Sequence, residues 1–262
     1  AAIPGIWGDY KDFYATNVQG TENIIIACHI NKIKKLIYTS SPSVVFGSNN
    51  IEGANEQILY PDQYLCNYSK TKAIAEKMVI KANGLNGLAT VCIRPHLIWG
   101  PGDPHLLPRI VERAKNKKLI RVGEGNNLVD MIYIDNAVDA HIKAYEKLDL
   151  NSNVAGKCYF VSDDKPVFLW EWIELLLIKL ELPSITKTIT FKWAFFIGRI
   201  LEIFHKVFFI KKEPIMTRFL AMQLSKSHYF NISQAKKDFG YKPLIKNEEG
   251  IKRLVSDYFS RQ

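Results

Sequence analysis

The chain of 262 residues carries 35 basic and 26 acidic side chains, a formal net charge of +9, and 47% of its residues are hydrophobic. This length and hydrophobic content suit one large domain, or one domain with a smaller second lobe, around a sizeable core. Four scattered cysteines without a CxxC pattern give no signal of a disulfide framework or a zinc site, and no nucleic-acid-binding motif accompanies the basic excess.

The first half of the sequence alternates between helical and strand-like segments. Apolar residues at helical spacing predict a helix over residues 12–30, and the short apolar run 34–41 suits a buried strand that ends in small hydroxyl residues. After a polar loop, a helix is predicted from about residue 67 to residue 81. The β-branched run 88–95 predicts another strand, which the stretch "GPGDP" ends.

The second half continues the alternation and becomes mostly helical from Pro183 onward. Its predicted elements, in order, are a helix over 107–118, a strand over 128–135, a helix over 136–148, a strand over 157–164 and a helix over 167–182. The stretch "GEGNN", 123–127, precedes a strand, so we interpret it as a hairpin-like turn and not as a phosphate-binding loop. Strands that alternate with helices of this length favour an α/β fold with a parallel sheet.

Tyr68 and Lys72 are four residues apart on the predicted helix 67–81, so they project from the same face. A phenol has an ordinary pKa near 10 and is, alone, a poor proton shuttle at neutral pH. An ammonium group about 5 Å away, at an effective dielectric constant near 20, favours the phenolate by roughly 3 kcal/mol, or about two pKa units. We therefore predict a general acid–base pair, although the same spacing also occurs on ordinary solvated helices.

Small hydroxyl residues follow the first predicted strand, at its carboxyl end: Ser40, Ser41 and Ser43. In open parallel sheets that edge is where ligands bind. A serine hydroxyl there can donate a hydrogen bond to a substrate carbonyl oxygen while Tyr68 delivers or removes the proton. The alternative is that these hydroxyls only cap the turn before Pro42.

Several motifs occur together in a fixed order: "NVQGTEN", "YTSSPSVVFG", "YSKTK", "RPHLIWGPGD", "DMIYIDNAVDAH" and "KDFGYKP". In this order they resemble the extended short-chain dehydrogenases/reductases and, within that superfamily, the 3β-hydroxysteroid dehydrogenase branch. The stretches "TSSPSVVF", "RPHLIWGPGDPHLLPRI" and "PIMTRFLAMQLSKSHYFNIS" look most like a bacterial subgroup that reduces 2-alkyl-3-oxoalkanoates. The resemblance spans nearly the whole chain.

The resemblance implies a role for each residue that matches a family motif. Tyr68 matches the general acid/base, Lys72 the partner that lowers its pKa and binds the ribose, and Ser41 the serine that orients the carbonyl group. Ser43 is the alternative to Ser41, and Ser43 and Trp99 are candidate substrate contacts. No metal ligand is expected.

The same resemblance implies a cofactor segment. Pro95, His96 and Leu97 match the residues that touch the nicotinamide, and Asn17 matches a helix asparagine near the active site. Other interpretations remain open, because Pro95 can simply end a strand, the His96 side chain can be a packed interior histidine, and Asn17 can be a polar residue on a helix surface.

The family opens with a glycine-rich phosphate-binding loop, which has no match before residue 12, and "AAIPGIWGDY" resembles the segment after the fourth strand. We therefore expect roughly the first 70 to 80 residues of such a fold to be absent. The cofactor implied is NADP or NAD, and the residue that distinguishes them is not in the sequence.

The expected fold is α/β: a partial Rossmann-like parallel sheet, with the first strands absent, and a smaller, mostly helical substrate lobe. Residues 1–100 are assigned to the remainder of a dinucleotide-binding domain. Residues 101–262 are assigned to the substrate lobe, with residues 128–162 returning to the sheet.

The stretch 191–212 is rich in aromatic and aliphatic residues but too interrupted by charge for a membrane span. Lys192, Arg199, Glu202 and Lys206 fall near one face of a predicted amphipathic helix. Three interpretations remain open: packing against the substrate lobe, a lid over a hydrophobic substrate, or a helix that rests in a membrane interface with its cations toward acidic lipids.

Together these features favour an NAD(P)-dependent oxidoreductase that interconverts a secondary alcohol and a ketone on a hydrophobic substrate, such as a sterol or a 2-alkyl-3-oxoalkanoate. The alternatives are a nucleotide-sugar epimerase or dehydratase and a non-catalytic dehydrogenase remnant that acts as a binding protein. The expected partners are the hydrophobic small molecule, a peripheral membrane contact and a second copy in a homodimer, without nucleic acid. The expected location is the cytoplasm, with membrane association as a variant, and activity of the truncated chain is left open.

Overall fold

The structure is a computed structural model that describes residues 2–261. Its strands are β1 (Lys35–Thr39), β2 (Ile51–Ala54), β3 (Ala89–Pro95), β4 (Ile98–Trp99), β5 (Ile120–Val122), β6 (Leu128–Val129), β7 (Ile132–Tyr133), β8 (Cys158–Val161), β9 (Val167–Phe168), β10 (Lys187–Ile189) and β11 (His228–Phe230). Its α-helices are α1 (Tyr10–Phe13), α2 (Gly20–Ile30), α3 (Asn67–Ala82), α4 (Leu106–Lys115), α5 (Ile134–Lys147), α6 (Leu169–Lys179), α7 (Phe191–Val207), α8 (Arg218–Ser225), α9 (Ser233–Phe239) and α10 (Asn247–Ser260). A π-helical turn, Tyr14–Gln19, joins α1 to α2.

A parallel sheet with the strand order β1-β3-β8 lies between two layers of helices. All seven residues of β3 are buried, as expected for the central strand of a sheet covered on both faces. Alternate side chains of β3 serve opposite faces: Val91 and Ile93 share a core with α5, while Cys92 packs with Val79 of α3. The predicted α/β fold with a parallel sheet is therefore confirmed.

A second core fills the lobe made by α4, α6, α8 and α10 with one face of α7. Large aromatic side chains dominate it, and Trp99 packs edge to face against both Tyr133 and Trp172. Short strand pairs border this core: β5 pairs with β10, and β6 lies between β11 and β9. In residues 2–261, no helix combines the length and the apolar character needed to cross a bilayer.

Two sequence predictions in this region are wrong. The run 128–135 is not one strand, because β6 and β7 occupy two residues each and α5 already begins at Ile134. Between them the Asp130 amide bonds the His228 carbonyl at 3.1 Å, and its carboxylate bonds the Phe230 amide at 2.7 Å. The stretch 123–127 is not a hairpin turn either, because β5 and β6, which flank it, belong to different sheets.

Candidate active site

The strands of the central sheet all end at one edge, which is the ligand-binding edge of open parallel sheets. β1 ends at Thr39 and β3 at Pro95, which pairs with Val161 at the end of β8. Helix α3 begins at Asn67, so its first turns carry Tyr68 toward this edge. The segment that follows β1 brings Ser41 to the same place.

Ser41 both caps a turn and contacts Tyr68. It precedes a 3₁₀ turn, Pro42–Val45, and its Oγ accepts a hydrogen bond from the Ser43 amide at 3.2 Å. Its side chain also lies against the Tyr68 phenol and lowers the pKa of that phenol. The capping interpretation is confirmed; because a hydroxyl that accepts can still donate, the hydrogen bond of Ser41 to a substrate carbonyl oxygen stays a prediction. Sequence spacing therefore identified two groups that the fold does bring into contact.

Lys72 reaches the end of β1 from α3. Its Nζ donates a hydrogen bond to the Thr39 carbonyl oxygen at 2.6 Å and lies 4.0 Å from the centre of the Tyr38 ring. Within residues 2–261 this is the only hydrogen bond that its ammonium group makes, and an ammonium has three donors. The two remaining N–H donors, beside a Tyr68–Ser41 pair, fit the hydroxyl-rich ribose of a nicotinamide nucleotide.

The pKa of Tyr68 lies above its ordinary value in the protein without a ligand. Burial raises it, and the interaction with Ser41 lowers it only in part. The Lys72 ammonium group is directed at the Thr39 carbonyl and the Tyr38 ring, and its predicted lowering of the Tyr68 pKa stays a prediction. Burial also lowers the pKa of Lys72 to about 8, although the negative charge of Glu76 acts to raise it.

Glu76 continues the face that carries Tyr68 and Lys72, and sequence analysis missed it. It is fully buried and accepts two hydrogen bonds from Arg94, at 2.7 and 2.9 Å, and one from the Tyr60 hydroxyl at 2.6 Å. Burial alone would raise the pKa of Glu76, but the bonds and charge of Arg94 hold it below its ordinary value. The spacing of i, i+4 and i+8 on one helix face was the available signal.

One trio of potential metal ligands lies beside this ion pair. Glu76, Cys92 and Cys158 each place a ligand atom within 4.8 Å of the others. Arg94 already bonds both oxygens of the Glu76 carboxylate, and burial raises the pKa of the Cys92 thiol well above its ordinary value, which disfavours the thiolate that binds metal. The trio is therefore better explained as core packing around the ion pair.

The His96 side chain is buried and hydrogen-bonded to a second histidine, His228. His228 donates from Nε2 to the Gln223 carbonyl oxygen at 3.0 Å, so its Nδ1 accepts from His96 Nε2 at 2.6 Å, an assignment that follows from the hydrogen-bond pattern. Burial lowers the pKa of His96, and it lowers that of His228 to about 4. The interior interpretation of the His96 side chain is confirmed, and no sequence signal indicated its partner 132 residues away.

The backbone after β3 turns sharply at the predicted nicotinamide segment. Pro95 is buried at the end of the strand, and Leu97 has φ of 43°, in the left-handed region that a branched side chain rarely adopts. Its carbonyl oxygen accepts from the Ile132 amide at 3.4 Å. The contact of this segment with a nicotinamide stays a prediction.

Asn17 is buried, so the alternative of a surface polar residue is wrong. Its side-chain amide donates to Thr71 Oγ1 at 3.1 Å, and its Oδ1 accepts from the Ile3 amide at 2.8 Å. Thr71 precedes Lys72 on α3, so Asn17 ties the start of the chain to the helix that carries the Tyr–Lys pair. Its side chain is occupied by these bonds, and a direct cofactor contact stays a prediction.

The two residues predicted to contact the substrate, Ser43 and Trp99, lie in different surroundings. The Ser43 hydroxyl is buried and has no hydrogen-bond partner in the part of the chain that the structure describes, which leaves it available to a ligand. Trp99 is 1% exposed and has its ring between Tyr133 and Trp172, in the second core. Its Nε1 is buried without a hydrogen-bond partner in the described residues, and the substrate contact of Trp99 stays a prediction.

The fold has close counterparts among solved structures. UDP-glucuronic acid 4-epimerase from Bacillus cereus, in complex with NAD, aligns with a TM-score of 0.73 over 100% of this chain and 73% of that one, at 19% identity. At this identity the similarity concerns the fold alone.

Sequence comparison is more specific. Residues 1–192 match the 3-beta hydroxysteroid dehydrogenase/isomerase family. The 2-alkyl-3-oxoalkanoate reductase of Shewanella oneidensis is 46% identical over 261 residues, which cover 97% of this chain and 67% of that protein. The 2-alkyl-3-oxoalkanoate reductase of Stenotrophomonas maltophilia is 44% identical over 255 residues, which cover 97% of this chain and 77% of that protein. The chain therefore belongs to the 3-beta hydroxysteroid dehydrogenase/isomerase family of extended short-chain dehydrogenases/reductases.

Proposed function

We propose that the native polypeptide that contains this chain interconverts a secondary alcohol and a ketone on a hydrophobic substrate, with NADP or NAD as cofactor. The observation that carries the proposal is the contact between Ser41 and Tyr68 at the carboxyl edge of the sheet, one helical turn from Lys72. The similarity to two 2-alkyl-3-oxoalkanoate reductases supports an alkylated β-keto acid as the substrate class.

In the reductive direction, the chain supplies the proton and holds the oxygen. The Ser41 side chain, which lies against the Tyr68 phenol, donates a hydrogen bond to the substrate carbonyl oxygen. The raised pKa of Tyr68 keeps the phenol protonated at neutral pH, so it can give its proton to that oxygen as the alcohol forms. The bound nucleotide supplies the hydride that the carbonyl carbon receives.

Lys72 positions the nucleotide and sets a pH limit. Its two spare N–H donors hold ribose hydroxyls while the third stays on the Thr39 carbonyl oxygen. Because its pKa is about 8, the ammonium loses its proton as the pH rises through that value. We expect the reductive kcat/KM to fall above about pH 8, by up to tenfold per pH unit.

The direct test is Tyr68→Phe, assayed with NADPH and NADH on a long-chain 2-alkyl-3-oxoalkanoate. Loss of the proton donor lowers kcat by about 10² to 10⁴-fold while the thermal unfolding transition is retained. Tyr145→Phe is the matched control, because Tyr145 is exposed on α5 and lies on the other side of the sheet from α3.

Ser41→Ala and Ser43→Ala separate the two serines. We expect Ser41→Ala to lower kcat by about 10² to 10³-fold, as for other hydrogen-bond donors to a developing oxyanion, and Ser43→Ala to have a smaller effect. Near-normal turnover by Tyr68→Phe would exclude this mechanism. Turnover of a nucleotide sugar in place of the keto acid would indicate the epimerase or dehydratase alternative, and a native protein that binds neither nucleotide would indicate a non-catalytic role.

The remaining expectations concern partners. We propose a hydrophobic small molecule as the substrate partner. Homodimerisation and location in the cytoplasm stay predictions, as do the division of the chain into a dinucleotide-binding part and a substrate lobe.

A further inference from the structure

Helix α7 presents an apolar surface to the outside. We define the α7 stripe as the exposed apolar side chains of this helix: Trp193, Phe196, Ile197, Ile200, Ile203, Phe204 and Val207. Half-exposed side chains of this size present on the order of 80 to 100 Å² each, so the stripe matches or exceeds the largest apolar patch of an ordinary monomer, about 300 to 600 Å². Phe208 and Phe209, which follow the helix, extend it, and Phe209 is 89% exposed.

The inner face of α7 explains why the apolar side chains point outward. Ala194, Gly198 and Glu202 are its buried residues. A Cβ on Gly198 would lie 2.6 Å from the Thr217 carbonyl carbon, so the helix packs directly against backbone. The Glu202 carboxylate accepts from the Arg218 amide at 2.7 Å and from Arg218 Nε at 2.8 Å. A surface helix usually does the reverse and buries its apolar face.

A row of cations borders the α7 stripe. Lys192, Arg199 and Lys206 are exposed and seven residues apart, which places them close to one line along the helix. Lys211 and Lys212 are exposed just after the helix. The only carboxylate within 191–212 is Glu202, which is 5% exposed. None of these five cations forms a salt bridge in the part of the chain that the structure describes.

We propose that α7 is an interfacial helix that docks the protein on an anionic lipid bilayer. The α7 stripe enters the boundary between headgroups and acyl chains, and the cation row meets the lipid phosphates. A helix of 17 residues is about 25 Å long and bears charge along its length, so it lies in the plane of the interface and does not cross it.

Charge decides between a bilayer and a second copy of the chain. Two copies that pair through the stripe would bring the same cations together, and the stretch 191–212 offers no exposed carboxylate to meet them. An anionic membrane offers acyl chains to the apolar side chains of this surface and lipid phosphates to its cations. This inference does not depend on the proposed reaction, because docking is measured without nucleotide or substrate.

Vesicle flotation tests the proposal. The wild-type protein is expected to float with vesicles of equimolar phosphatidylglycerol and phosphatidylcholine and to bind pure phosphatidylcholine vesicles far more weakly. Ile200→Gln with Phe204→Gln is expected to weaken binding to the anionic vesicles about 100-fold. Lys192→Gln with Arg199→Gln and Lys206→Gln is also expected to weaken it about 100-fold, without changing the weak binding to phosphatidylcholine.

A matched control and a depth measurement complete the test. Ile30→Gln changes an apolar residue that is 74% exposed on α2 and should leave binding unchanged. Lipids with brominated acyl chains should quench the emission of Trp193, and Trp193→Phe should remove the quenched component. Thermal unfolding of each variant confirms that it is folded.

Three results would overturn the proposal. One is a folded wild-type protein that does not float with anionic vesicles. Another is floating that the stripe variant retains. The third is a wild-type dimer that ignores both vesicles and that the stripe variant converts to a monomer, because the stripe would then be an interface between copies of the chain.

Discussion

Helices α3 and α7 each bury a glutamate against an arginine, yet they present opposite surfaces. On α3, Glu76 is fully buried with Arg94, and the helix also turns Val79 and its alanines inward. On α7, Glu202 is 5% exposed and pairs with Arg218, while the large apolar side chains face outward. The first ion pair is buried between α3 and β3, one helical turn from Lys72. The second anchors a helix from below and so leaves its apolar side free to bind another surface.

Removing the buried charge on α3 tests the contrast between the two ion pairs most strongly. Glu76→Gln leaves the Arg94 guanidinium, itself 3% exposed, without a counterion in the core. We expect the free energy of unfolding, measured by urea denaturation, to fall by about 3 to 5 kcal/mol. The double variant Glu76→Leu with Arg94→Met, which removes both charges, should be more stable than the single one.

Glu202→Gln is the comparator. Arg218 is 30% exposed and can reach water, so the expected loss is about 1 to 2 kcal/mol. Equal losses for the two glutamine variants would show that the two ion pairs are energetically alike and that the contrast between α3 and α7 is one of shape only.

The effect expected from Gly198→Ala, which tests how closely α7 is packed, is smaller than that of Glu76→Gln. The added Cβ meets the backbone of Thr217 at 2.6 Å and must push α7 outward, at a cost of about 1 to 3 kcal/mol in the same denaturation experiment. Gly47→Ala is the matched control, because no atom lies within 4 Å of the added Cβ there, and its effect should stay within about 0.5 kcal/mol. Equal stability of the two variants would contradict the close packing of α7.

Asp130 is also a buried carboxylate, but unlike Glu76 and Glu202 it has no cation partner in residues 2–261. Burial raises its pKa from 3.8 to about 7, with Asp164 and Asp163 adding to the effect. Because the folded state binds the extra proton, Asp130 stabilises the protein below pH 4, and this contribution is lost as the pH rises through about 7.

The variant Asp130→Asn should therefore gain stability relative to the wild type as the pH rises from 4 to 7, by at most about 1.4 kcal/mol per pH unit. Urea denaturation at a series of pH values measures the difference between the two proteins. That difference cancels the opposite contribution of His228, whose lowered pKa of about 4 makes stability rise between pH 4 and 6.5. A difference independent of pH would show that Asp130 is ionised in the folded state.

The sequence pattern alone was sufficient to predict features that lie within a single helix or strand. The strand 88–95 and the helix 67–81 were predicted from composition and period, and they are β3 (Ala89–Pro95) and α3 (Asn67–Ala82). The spacing of Tyr68 and Lys72 placed both groups on one face. The run 128–135 failed because a short apolar run suits a strand or the start of a helix equally well, and only the contacts of Asp130 with β11 decide.

Distant partners could not be predicted. Lys72 bonds the Thr39 carbonyl oxygen 33 residues away, a contact that no spacing in the sequence indicates. His228 meets His96 across 132 residues. On α7 the period correctly indicated one helix with two faces, but it does not say which face is inside, and Glu202, expected beside the exposed cations, is buried.

The π-helical turn before α2 has a consequence for chain length. Within this turn the Asn17 side chain bonds Thr71 of α3, and further along α2 the Ile25 side chain packs in one cluster with Cys92 of β3. The turn therefore sets the rotation of α2 relative to the segment that holds Asn17. Deleting a single residue from 14–19 would rotate all of α2 by roughly 100° about its axis and carry Ile25 out of the interior. The number of residues in this turn is therefore fixed, because it sets which side chains of α2 face the interior.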